Sequence, residues 1–80
     1  MNDSEIQIIG LLQEISEDDC ISNGAKQKIM KSINTMNTEV DVSLKANKVL
    51  NELEDLLENS GVDTYIRTQI WSVTSLLETL

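Results

Sequence analysis

The chain reads as an all-α protein, a four-helix up-and-down bundle built from two similar αα-hairpins. Three observations carry that reading. Apolar residues recur at three- and four-residue spacing in four segments, and none alternates with period two for long. Proline is absent and glycine occurs only three times, so capping residues rather than breakers must divide the segments. The sequence also matches itself at a shift of 41 residues.

The first helix starts at Asp3 or Ser4. Ser4 and Gln7 have the spacing of a capping box, in which each side chain satisfies one free backbone amide. Ile8, Leu12 and Ile15 form its stripe, and the helix runs to about Ser16. Glu17, Asp18 and Asp19 end it, because acids at a helix C-terminus oppose the macrodipole. The second helix spans Ser22 or Asn23 to Met36, with Ala25, Ile29, Ile33 and Met36 on one stripe. Thr38 is then placed to cap a third helix running from about Glu39 to Glu58. Val42, Ala46, Val49, Leu53 and Leu56 recur there at 4-3-4-3, widened by Leu50 and Leu57. Gly61 suits a left-handed position after that helix. The fourth helix is capped by Asp63 and reaches the C-terminus, with Ile66, Ile70, Val73, Leu77 and Leu80 as its stripe.

At the shift of 41, Ile8 falls on Val49, Leu12 on Leu53, Ile15 on Leu56, Ile29 on Ile70, Met30 on Trp71 and Met36 on Leu77. Chance alignment of amphipathic stripes explains part of this. It explains less well why two helices and the turn agree at one shift. The hairpins are about residues 3–36 and 39–80 of a single domain, 1–80. One hairpin cannot bury its apolar face alone, whereas two can cover each other. Two repeats are too few for a solenoid, and the 3.5-residue spacing suits near-antiparallel packing at about 20°.

An 80-residue core supplies only about 3–5 kcal/mol before other help. Cys20 is the only cysteine and histidine is absent, so neither a disulfide framework nor a zinc site is available. The help left is close helix packing or self-association. Hydrophobic residues make up 40% of the chain, enough for a folded domain. The net charge of −8 repels nucleic acid and anionic membranes. That charge is uneven: residues 1–25 carry six acids and no base, residues 26–48 five lysines against two acids, and residues 49–80 six acids against Arg67. No run of 18 apolar residues and no secretory signal occurs, and with a lone cysteine this points to a reducing cytoplasm.

The two turns resemble those of a known family. Glu17-Asp18-Asp19-Cys20-Ile21, followed by a cap and Lys26, is similar to its first turn. Val62 to Glu78, with Arg67-Thr68, Ile70-Trp71 and Leu77-Glu78, is similar to its most recognisable stretch. The family is the uncharacterised protein family zero-one-four-seven, of small archaeal proteins, and the resemblance covers nearly the whole chain. It implies an all-helical, bundle-like fold and brings no activity, ligand, partner or site residue. The family tends to have proline where this chain has Ser22, Thr38 and Asp63. Either choice fits the start of a helix, so the departure leaves the fold unchanged.

No catalytic, cofactor-binding or metal site is expected. Without histidine, the Ser-His and Cys-His arrangements and the Glu-x-x-His pairs of di-iron bundles are excluded. The Glu17–Asp19 turn and the Glu54, Glu58 pair read as solvated acids. The turn lacks the alternating oxygen ligands of a calcium loop. At Cys20 the preceding acids oppose thiolate formation, and its partner under the shift is Gly61, so a small residue in a tight turn is the simpler reading. Lys26, Lys28 and Lys31 give helix 2 a basic face. A nucleic-acid surface is the alternative function, weighed against a basic helix lying between acidic ones, with no aromatic residue among the lysines to stack on bases. Trp71 lies one residue off the stripe of helix 4. It reads first as a core residue and second as an interface anchor with Arg67 and Leu76. The function this reading reaches is a non-enzymatic small protein acting through protein–protein interaction or self-association, as a homodimer or with another protein, with no membrane and no small-molecule ligand implied.

Overall fold

The structure is a computed structural model that describes residues 2–59 and 61–80. Its helices are α1 (Asp3–Ser16), α2 (Asn23–Met36), α3 (Val42–Asn59) and α4 (Thr64–Leu77). Each packs on two others in a closed ring: α1 on α2 and α4, and α3 on α2 and α4. The short connections make neighbours antiparallel, so this is the up-and-down bundle. It measures 31 × 20 × 19 Å.

The stripes read from the sequence form one core. Ile8, Leu12, Ile15, Ile29, Met36, Val49, Leu53, Leu56, Ile66, Ile70 and Val73 are all at most 1% exposed. Leu50 and Leu57 pack partly buried against them. Val42, taken for a stripe residue, is half-buried.

Three boundary readings need correction. The capping box of α1 uses Asn2 and Glu5, not Ser4 and Gln7: Asn2 Oδ1 accepts from the Glu5 amide at 2.8 Å, and Glu5 Oε2 accepts from the Asn2 amide at 2.8 Å. α3 starts three residues later than Glu39, because Asp41 rather than Thr38 caps it. Asp41 Oδ1 accepts from the Ser43 amide at 2.8 Å, and its carbonyl accepts from the Lys45 amide. Thr38 instead donates its hydroxyl back to the Thr35 carbonyl. α4 stops at Leu77, and the last residues form tighter i→i+3 turns. The caps Ser22 and Asp63 stand as expected, accepting from the amides of Ala25 and Ile66.

Most buried positions keep the 41-residue register, though Ile33 and Ser16 are buried where Thr74 and Leu57 are not. Ile8 and Val49, Leu12 and Leu53, Ile29 and Ile70, and Met36 and Leu77 are pairwise buried. The turns do not keep it. α3 runs two residues further than α1, leaving six residues between α1 and α2 and four between α3 and α4. Gly61 has φ +58, whereas Cys20, its counterpart, is not left-handed.

Candidate partner surface and the buried charge pair

Three places on this bundle bear on function. The first is the groove between α2 and α3, a depression of about 580 Å³ lined by Gly24, Gln27, Lys28, Lys31, Asn51, Glu52 and Asp55. Lys28 pairs with Asp55, and Lys31 lies 3.1 Å from Glu52. The Lys28 ammonium holds the Asp55 carboxyl below its usual range, with a second hydrogen bond from Asn59. Two of the three lysines that defined the basic face are therefore turned onto acids of α3.

The second place lies at the end of the bundle where α1 begins. Glu5 belongs to the apolar stripe of α1, one turn before Ile8, and its side chain is 4% exposed. Lys45, beside Ala46 on α3, is 6% exposed. Its ammonium stands 2.7 Å from Glu5 Oε1, close enough for an ion pair though off the angle of a directed hydrogen bond. It also donates to the carbonyls of Met36 at 3.1 Å and Thr38 at 3.3 Å, at the C-terminus of α2. Cations are favoured there by the helix dipole. Three helix ends are thus tied by two side chains. The Lys45 ammonium, with the Asn2 amide, holds the Glu5 carboxyl below its ordinary range even though burial acts the other way. Sequence reasoning missed this pair. The available signal was spacing: 5, 8, 12 and 15 recur at 3-4-3, so Glu5 falls where the stripe calls for an apolar residue.

The third place is α4. Trp71 is 53% exposed, so it is not the core residue that its nearness to Ile70 suggested. Tyr65 is also exposed, at 63%. Arg67 shares the side of Trp71, four residues before it, and is half-buried with no ion pair among the described residues. Leu76 does not join them. Five residues carry it about 140° around the helix from Trp71, and it packs partly buried against the core. What surrounds Trp71 on the outward side is Thr64, Thr68 and Ser75, flanked by Tyr65 and Ser72, all exposed and all uncharged. Several of the hydroxyls here already donate inside the helix. Thr68 bonds to the Thr64 carbonyl, Ser72 to Thr68 and Thr74 to Trp71.

Cys20 is exposed, and the neighbouring Asp18 carboxylate pushes its thiol pKa up. Asp18 Oδ1 also accepts from the Cys20 amide, which shapes the turn. No helix is long and apolar enough to cross a membrane among the described residues.

These features define a class: a small all-α bundle with, among the described residues, one buried ion pair at an end and an aromatic-bearing outer face on α4. Over residues 2–80 the chain matches the Uncharacterised protein family (UPF0147), and it belongs to that family. It is similar to the UPF0147 protein of Archaeoglobus fulgidus, at 26% identity over 72 residues that cover 90% of this chain and 83% of that one. No solved structure matches it.

Proposed function

We propose that the protein works without catalysis, as an interaction protein that associates with a second copy of itself through the outer face of α4. One observation carries the reading: in a chain of net charge −8, Trp71 stands exposed on a helical face of mostly uncharged residues, where the nearest charge along the helix is the half-buried Arg67. Tryptophan in such a setting is a favoured interface anchor. The hydroxyls beside it donate to their own helix, so covering them leaves few donors unsatisfied. A two-fold dimer pairs the same patch on both copies. Nucleic-acid association is set aside, because Lys28 and Lys31 already face Asp55 and Glu52. A cytoplasmic location belongs to the same reading and rests on the single exposed thiol, Cys20.

Light scattering at low and high salt tests this. Two acidic protomers repel, so added salt strengthens the dimer, whereas it weakens any complex with nucleic acid. Trp71→Ala shifts the wild-type dimer to monomer at both salts. A wild type that stays monomeric at high concentration in both salts rejects the proposal.

A further inference from the structure

We infer that the Glu5–Lys45 pair is a pairing lock: it admits the union of unlike hairpins within one chain and excludes like-with-like pairing between two copies. The apolar core makes that distinction only in part, since Ala25 and Ser32 of the first hairpin stand where the second has Ile66 and Val73. Leu12 and Leu53 are equally buried at equivalent positions, and so are Ile29 and Ile70. The matched stripe positions alone would let the first hairpin of one copy pack against the first hairpin of another. The two hairpins differ in charge at one end of that core. Forty-one residues on from Glu5 is Ala46, and forty-one residues back from Lys45 is Ser4.

Two first hairpins brought together would therefore bury two carboxylates with no ammonium between them. Two second hairpins would bury two ammoniums with no carboxylate. Both groups are at least nine-tenths buried in the native bundle, where an unpaired charge costs far more than a paired one gains. Only the unlike pairing brings Glu5 to Lys45, and Lys45 to the carbonyls that end α2. A core this repetitive needs such an asymmetry, as a single polar position fixes partner choice in coiled coils.

The test uses the full chain in a Trp71→Ala background, so that association through α4 cannot supply the dimer. Glu5→Leu/Lys45→Met removes both charges and keeps the volume apolar. The inference expects this variant to stay helical by circular dichroism but to populate dimer at roughly tenfold or more the level of the Trp71→Ala parent, since each tenfold reflects a small fraction of the cost of two unpaired buried charges. Its amide spectrum should show more than one set of resonances where the parent shows one. If that variant loses helicity, Glu5→Gln/Lys45→Gln, which keeps donors and acceptors at both positions, is read in the same way. A charge-free variant that is monomeric with a single set of resonances overturns the lock and leaves the pair as a tie between helix ends.

Discussion

The two hairpins of this bundle bury many of the same positions and differ most in charge where those positions end. In the first, Ile8, Leu12 and Ile15 are buried with Ile29 and Met36; in the second, Val49, Leu53 and Leu56 are buried with Ile70 and Leu77. At the outer end of that series the first hairpin places a carboxylate, Glu5, where the second has Ala46, and the second adds the ammonium of Lys45. Outside, the second hairpin carries the face with Tyr65 and Trp71, whereas α2 presents lysines. Equivalent apolar stripes set the architecture, then, and the few non-equivalent residues decide which surfaces meet and what stays exposed.

The largest effect expected is at the charge pair. Lys45→Met leaves the Glu5 carboxylate buried without its cation and the C-terminus of α2 without its donor. The loss should be about 3–5 kcal/mol, near the whole stability of a domain this size, and thermal unfolding followed by circular dichroism measures it. Core truncation comes next and tests the equivalence of the hairpins. Leu12→Ala and Leu53→Ala should each cost about 2–5 kcal/mol and match each other more closely than that range. Unequal costs from denaturant melts would mean that the shared register hides different packing. At the turns the hairpins should separate. Gly61→Ala forces a side chain into a left-handed residue at roughly 1–2 kcal/mol, with open space around it so that strain alone is measured. Cys20→Ala, at the counterpart position, should change stability by no more than about 0.5 kcal/mol.

The pair also sets a dependence on acidity. The Glu5 carboxyl titrates lower in the folded chain than its ordinary 4.5. Its contribution is therefore complete above that value and fades as the pH falls through the lowered folded one. Wild type should lose more stability on acidification than Glu5→Gln. Lys45→Met should show the opposite slope from this site, because protonation relieves its unpaired carboxylate. Equal pH profiles for wild type and Glu5→Gln would remove the pair from the account.

Most of the fold was legible, and particular residues show why. Ser22 and Asp63 are capping types directly before apolar stripes, so α2 and the start of α4 could be placed from the chain alone. In the α2–α3 connection Thr38 is the cap expected from the sequence, and the structure uses Asp41. The choice depended on where the chain must turn to enter the bundle, which is a tertiary matter. The ion pair was illegible for a related reason. A glutamate at the edge of a stripe reads as the stripe's end, and its partner lies forty residues away. For Trp71 the position beside the stripe was plain, but its exposure follows from how far α4 is rotated against α1 and α3, which one helix does not determine.

The central claim is that Glu5 and Lys45 act as one unit joining unlike hairpins. A double-mutant cycle on unfolding free energy tests it most directly, with Glu5→Ala, Lys45→Ala and the double variant. The account predicts that each single change is severe and the double little worse than either, a coupling on the order of 2–3 kcal/mol. Single effects that add to within about 0.5 kcal/mol would contradict it.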